Sequence, residues 1–237
     1  MAGEQGLPPT TQVDLAEPVR GYWVRRLRNS LRDTYMGIPM LKLPEDLRVY
    51  EHLLWISRAN VVIELGAKNG GSTLWFRHRL DSLAACGRIG RPLVISVDQR
   101  TGPAGHALEA ADPNWRDSII LLTGDVADQQ VVEEVRRLVP PGSRCLVTED
   151  TAHVYETTIA ALRGFSEFVP MGGFFVVEDG HVDSDELRPQ RPDRWPRGVV
   201  PALRDWLESE GGAFRLRRDL EIYGVTSNLE GYLERVA

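Results

Sequence analysis

The chain has 237 residues, 42% hydrophobic and 26% charged, with 34 acidic against 28 basic side chains and a formal net charge of −6. That balance belongs to an ordinary globular protein with a large core, and it leaves no basic footprint for nucleic acid. No apolar run approaches the roughly 18 residues a membrane-spanning helix needs, so no membrane partner is expected. Residues 1–17 are polar, contain Pro8-Pro9 and carry no apolar signal core. They read as a loose tail, and export is not expected. Cys86 and Cys145 form no metal-like pair. Cys145 lies in an apolar run and reads as a buried thiol, so a reducing cytoplasm is the expected compartment.

Val19 to Arg32 has helical spacing, with Tyr22, Trp23, Leu27 and Leu31 on one side; Arg20, Arg25, Arg26, Arg28 and Arg32 read as a solvated face, with anion binding the alternative. From Thr34 to Leu47, Gly37, Pro39 and Pro44 forbid a continuous helix. The many apolar residues there predict a segment packed over something, either a lid or a plain cover of the core. Glu45 to Ser57 is helical again through Leu47, Tyr50, Leu53 and Leu54. Residues 18–57 thus form a helical N-terminal cover, and 58–237 the core of a single domain spanning 1–237.

That core opens on Val61-Val62-Ile63-Glu64-Leu65-Gly66-Ala67-Lys68-Asn69-Gly70-Gly71-Ser72. The apolar, β-branched start predicts a strand buried on both faces, then a glycine turn, then a helix from Thr73 to Leu83. Such a unit holds a nucleotide-like ligand at the carboxyl end of a parallel sheet, the glycines letting the backbone approach it. The spacing Glu-x-Gly-x-x-x-Gly-Gly is neither the fingerprint of nicotinamide enzymes nor a phosphate loop. It suits S-adenosylmethionine (SAM), which carries no phosphate; the plain alternative is an ordinary strand–helix connection.

Further strands are expected at Leu93–Asp98, Ile119–Val126, Arg144–Asp150 and Gly172–Asp179. Helices are expected at Asp128–Leu138, Thr157–Val169 and Val199–Glu208. Residues 183–198, with Pro189, Pro192 and Pro196, read as a long loop over the site, and the tail after Glu208 as containing one or two short strands, including Glu221–Val225. Strand alternating with helix gives a mostly parallel sheet covered on both faces. Glu64, Asp98, Asp125, Asp150 and the pair Glu178-Asp179 all fall at strand ends, on the edge where such sheets bind ligands. Asp98 is placed for ribose hydroxyls and Asp125 for an adenine amino group. Gly66, Ala67, Gly70, Ser72, Gln99, Val126 and Asp150 complete the expected cofactor contacts.

Met36-Gly37-Ile38, Lys42-x-Pro44-x-Asp46, Tyr50, Ile63-Glu64-Leu65-Gly66, Gly70-Gly71-Ser72, Val97-Asp98, Gly124-Asp125, Asp150-x-x-His153 and Val176-Val177-Glu178-Asp179 run in order across roughly residues 34–180. As a set they resemble the cephalosporin-hydroxylase-type family, which despite its name consists largely of SAM-dependent methyltransferases of natural-product pathways. The resemblance implies a Rossmann-like class I methyltransferase fold of α/β type. It also implies SAM contacts at Glu64, Gly66, Asp98 and Asp125, and a metal or acceptor site at Asp150, Glu178 and Asp179. Members methylate sugar hydroxyls or amines on antibiotics, some with bound magnesium. A gentamicin-type aminoglycoside N-methyltransferase fits this resemblance closely. The alternatives are magnesium-assisted O-methylation of a neutral deoxysugar or other glycoside, and an oxidoreductase, for which a dinucleotide fingerprint is missing. A binding protein that has lost chemistry would lack the late acids and histidine.

Methyl transfer from a sulfonium is an in-line displacement, so the protein mainly aligns the partners and excludes water. A hydroxyl acceptor must also lose a proton, and His153 and His181, with Asp150 beside them, suit that task. Asp150, Glu178 and Asp179 can be read as magnesium ligands, as partners of a cationic amino sugar, or as structural acids. Asp183, Asp185 and Glu186 extend the negative mouth. The expected acceptor is a glycosylated small molecule, neutral or cationic, and the expected assembly a homo-oligomer.

Overall fold

The computed structural model describes residues 16–187 and 196–237. The predicted tail up to residue 15, and Pro189 and Pro192 of the predicted loop, lie outside the described residues. Two helices, α1 (Val19–Ser30) and α2 (Pro44–Ser57), flank a two-stranded ribbon of β1 (Thr34–Tyr35) and β2 (Ile38–Pro39). The core then alternates: β3 (Val61–Leu65), α3 (Gly71–Ala85), β4 (Leu93–Asp98), α4 (Gly102–Ala111), β5 (Ile119–Thr123), α5 (Gln129–Leu138), β6 (Cys145–Glu149), α6 (Tyr155–Phe165), β7 (Phe174–Val177) and α7 (Val199–Ser209). It closes on β8 (Phe214–Leu216) and β9 (Tyr232–Arg235).

The sheet order is β5-β4-β3-β6-β7-β9-β8. All neighbours from β5 to β7 are parallel, while β9 runs antiparallel to both β7 and β8. The chain steps outward from β3 to β5 and then returns to lay β6 on the other side of β3. The crevice between the carboxyl ends of β3 and β6 is therefore the point where strand order reverses, the usual ligand position in an open α/β sheet. Side-chain alternation splits the core in two. Val61, Ile63, Cys145, Val147 and Phe175 face α5, α6 and α7, while Val62, Leu146, Phe174 and Val176 face α2, α3 and α4. Cys145 is a buried free thiol, its pKa pushed up to about 12 by burial, and Cys86 is an exposed one.

Three differences from the sequence reading have physical causes. Glu221–Val225 is a turn rather than a strand, since Gly224 sits at φ +74° and Ile222 and Tyr223 are exposed. The late strands are instead β8 and β9. Helix α4 is additional, since no element was expected between Asp98 and Ile119; its proline sits in the first helical turn, where it is tolerated. The helix expected over Thr157–Val169 starts at Tyr155, ends at Phe165 and tightens into a 3₁₀ turn.

The cover is tied down at both ends. Arg20, drawn in the sequence as solvated, donates to the Glu186 carbonyl at 2.8 Å, and Arg26 grips Glu45 through its Nε and Nη2. Trp23 donates its indole N–H to the Thr226 carbonyl at 2.9 Å. Ile38, Met40 and Leu43 of the linking segment are buried, so it packs as a cover over the start of α3.

Asp46, in the first turn of α2, is buried and accepts from the Ser227 backbone at 2.8 Å, the Ser227 hydroxyl at 2.7 Å, the Tyr232 hydroxyl at 3.0 Å, and Thr226. Burial outweighs these bonds and lifts its pKa from 3.8 to about 6. A folded-state pKa above the unfolded value means the folded carboxyl binds its proton more tightly. That contribution to stability is fully present below 3.8 and is lost as pH rises through about 6. Asp46→Asn removes the titration. In urea melts, the stability of the parent relative to this variant should fall with pH across that window, by at most about 1.4 kcal/mol per pH unit. A difference that grows with pH would overturn the assignment.

Candidate active site

At the end of β3 the chain turns on Gly66, at φ +108°, whose N–H donates to the Val97 carbonyl at 2.8 Å. On the other side the Asp150 N–H donates to the Leu65 carbonyl at 2.8 Å, so β3, β4 and β6 are locked together at the crevice. Lys68 also takes a left-handed conformation, φ +46°, and its N–H donates to Asp98 at 2.8 Å. The Arg100 N–H takes the other Asp98 oxygen, also at 2.8 Å. Asp125 is fixed in the same manner by the Gln99 side-chain amide at 2.8 Å and the Ala127 N–H at 2.9 Å. Both carboxylates are aimed before any ligand arrives, and each keeps lone pairs for hydroxyl or amino donors.

These groups line a cavity of about 270 Å³ over β3, β4 and β5, bounded by Gly66, Asp98, Gln99, Asp125, Val126 and Asp150. Glu64 does not reach it. The residue shares the face of Val62, toward α3, and is fully buried beneath the turn. Its carboxylate is taken by the hydroxyls of Ser72, Thr73 and Ser96. Burial raises its pKa although Lys42 and those hydroxyls pull it down. Glu64 thus braces the glycine turn from below rather than lining this cavity. Gly70, at φ +84°, shapes the turn against Ala104 and Leu108 and lines neither cavity.

A second cavity of about 250 Å³ lies on the other side of the turn, where Ala67 and Ser72 belong. Its apolar lining comes from Leu27 of α1 and Leu31 just past its end, with Pro39, Met40 and Leu41, and its polar pole carries Lys42, Asp150, His153, Asp179 and His181. The two cavities share Gly66, Lys68, Asp150 and Thr151.

At that pole Asp150 and Asp179 of the expected set stand beside His153, and Glu178 adjoins Asp150 through the shared Lys42 ammonium. His153 Nε2 lies 3.3 Å from Asp179 and 3.8 Å from Asp150. One ligand atom from each of Asp150, His153 and Asp179 lies within 4.8 Å of the others. Two carboxylates and an imidazole at this spacing fit a divalent cation. Glu178 is buried, accepts from Tyr50 at 2.7 Å and Thr148 at 2.6 Å, and pairs with Lys42 at 2.5 Å. His181 Nδ1 stands 3.3 Å from the Ser227 carbonyl and 3.5 Å from Asp179.

Burial disfavours the His153 imidazolium, yet Asp179, Asp150, Glu149 and Glu178 outweigh it and raise the pKa above 6.5. His153 Nδ1 is buried without a hydrogen bond among the described residues, and the backbone is left-handed at φ +58°. Lys42 likewise keeps its proton: burial opposes the charge, and Asp150, Glu178 and Glu64 overcome it. Lys42 entered the sequence reading only as a motif letter, and Tyr50 as a motif letter and a residue of the inward helix face. No local pattern marks them, because their partners lie 108 and 136 residues away for Lys42 and 128 away for Tyr50.

Among known proteins, the rhamnosyl O-methyltransferase of Mycobacterium leprae is 27% identical over 208 residues, 85% of this chain and 82% of that protein. The rhamnosyl O-methyltransferase of Mycobacterium tuberculosis is 26% identical over 163 residues, 67% of this chain, and the match spans 61% of that relative's length. Among solved structures, apo CmcI superposes with a TM-score of 0.64 at 24% identity, over 97% of this chain and 89% of that one. CmcI with magnesium and SAM gives 0.63 at 22% identity, over 97% and 90%. These likenesses show a Rossmann-like class I methyltransferase fold. The family model for Rhamnosyl O-methyltransferase/CmcI matches residues 28–236, and the chain belongs to that family, the one its motifs had indicated.

Proposed function

We propose that this protein is a SAM-dependent methyltransferase that methylates a hydroxyl group on the sugar of a glycoside. The observation that carries the reading is the pair of cavities sharing Gly66, Lys68, Asp150 and Thr151 at the reversal point of the sheet. A methyl donor on the Asp98–Asp125 side and an acceptor on the His153 side would meet across that shared wall. The names of the rhamnosyl O-methyltransferase relatives support a sugar hydroxyl as the acceptor.

In this reading Asp98 receives ribose hydroxyls, and Asp125 and Val126 hold the base. The apolar wall of Leu27, Leu31 and Met40 excludes water from the acceptor cavity. His153 Nε2, or an Asp150 oxygen, accepts the proton of the attacking hydroxyl. Asp150 and Asp179 would hold magnesium, leaving His153 Nε2 free to act as the base, and the ion when bound would supply positive charge that favours a deprotonated acceptor oxygen.

One observation favours a second reading, an amino sugar. The Asp150 and Asp179 side chains are 27% and 26% exposed at the acceptor pole, where they suit a cationic ligand. A panel of rhamnosides and aminoglycosides incubated with SAM, with products mapped by mass spectrometry and NMR, separates the two. Methylation of amines alone would overturn the hydroxyl reading.

Donor binding has its own test. Asp98→Ala should weaken SAM by about 1–3 kcal/mol in calorimetry, the cost of leaving ribose hydroxyls unpaired in a closed pocket. Parent-like binding would move the donor site elsewhere.

A further inference from the structure

Lys68 is a cation placed where the two cavities meet. Of the residues they share, Gly66, Lys68, Asp150 and Thr151, it alone carries positive charge. It is exposed, and its side chain has no ion pair among the described residues. Its backbone is held on both sides. The Lys68 N–H donates to Asp98 at 2.8 Å, and the Gly70 N–H closes the turn onto the Ala67 carbonyl at 2.7 Å. At φ +46° the residue is left-handed, a conformation that disfavours L side chains and that glycine takes freely. The turn thus carries a long cationic side chain where glycine would fit more easily, and such an outlier beside a cavity points to use of the side chain.

The cavity over β3, β4 and β5 is otherwise acidic, with Asp98, Asp125 and Asp150 in its lining. SAM joins its adenosine, through the sulfonium and a short methylene chain, to an amino-acid end that bears a carboxylate. The methyl must face the acceptor, so the sulfur belongs at the shared wall and the amino-acid end close beside it. A carboxylate brought into an acid-lined cavity needs a cation near it, because repulsion there is weakly screened. Arg100 is the other cation of that cavity, but it does not line the shared wall.

We propose that Lys68 binds the carboxylate of the donor's amino-acid end, and so makes the cavity select SAM and S-adenosylhomocysteine (SAH) over nucleosides that lack that end. This role rests on the placing of the donor in the preceding section. Donor and product carry the same carboxylate, so the grip acts on binding rather than on the methyl-transfer step.

The test is calorimetry, in chelator, with SAH and with 5′-methylthioadenosine, which keeps the adenosine and the thioether but lacks the amino-acid end. Lys68→Met should bind SAH about tenfold more weakly than the parent, the size expected for a lost hydrogen bond between charged groups, and methylthioadenosine equally well. Lys68→Arg should restore most of the SAH affinity. Lys68→Asn, whose side chain suits a left-handed backbone, should behave like Lys68→Met, which separates lost charge from a damaged turn. Arg100→Met should keep the parent's ratio of the two affinities. Asp98→Ala checks the donor cavity by itself and should weaken both ligands. If it weakens neither, the donor site is elsewhere and the role of Lys68 falls with it. If it weakens both while Lys68→Met and Lys68→Asn keep the parent's ratio, the donor reading stands and Lys68 alone is refuted. Equal weakening of SAH and methylthioadenosine in the Lys68 variants would overturn the role too, because Lys68 would then support the turn and not the carboxylate.

Discussion

Replacing His153 with alanine is expected to lower methyl transfer by about 10²–10⁴-fold while donor affinity persists, the usual consequence of losing a positioned acid–base group. His153 lines the cavity proposed for the acceptor and not the one proposed for the donor, and its Nε2 lies among the acids that would surround the attacking atom. Its left-handed backbone makes alanine partly a structural change. His153→Asn is the companion variant, because asparagine accepts that conformation and cannot serve as a base. The two should therefore lose activity together. If the acceptor is an amine, the penalty in both should shrink as pH rises, since more of the amine is already neutral. Rates across pH, with product-analogue binding by calorimetry, measure this. Parent-like rates in both His153 variants and in His181→Ala would remove histidine from the mechanism.

The parts of the fold readable in the sequence are those set by neighbouring residues. The β-branched run of β3, its glycine turn and the acids after β4 and β5 are short-range patterns, and the structure gathers Asp98, Gln99, Asp125 and Val126 around one cavity. What escaped depends on which face a residue takes or on distant partners. Glu64 ends its strand on the α3 side; the period of two, with Val62 on the same face, carried that information. The three hydroxyls that claim it come from α3 and β4. Glu178 is paired with a lysine from the N-terminal cover, a contact that no spacing rule could announce. The tail does hold two short strands, but Glu221–Val225 is not one of them, because Ile222-Tyr223-Gly224-Val225 looks more strand-like than the charged β9. That strand gains its place by pairing with both β7 and β8.

The second large effect is expected at Gly66. A Cβ built there would fall 2.1 Å from the Asp150 carbonyl oxygen and 2.7 Å from its carbon, both backbone atoms that no rotamer change can move. The φ of +108° is also one that L residues rarely adopt. Gly66→Ala therefore meets two penalties: a backbone cost of about 1–3 kcal/mol and a steric one that must part β3 from β6. Parting them breaks the bond from Asp150 N–H to Leu65 and shifts Asp150, which belongs to both cavities. Gly87 supplies the control, since it too has positive φ, +71°, but nothing lies within 4 Å of its Cβ position. Gly87→Ala should show the backbone cost alone. Gly66→Ala should be less stable than Gly87→Ala by a further 1–3 kcal/mol or so in urea melts, the size of an overpacking penalty. In whatever fraction remains folded, it should also lose SAM binding, which Gly87→Ala should keep. Equal stability of the two variants, or full SAM affinity in Gly66→Ala, would mean that the strand ends are not held against each other at this turn.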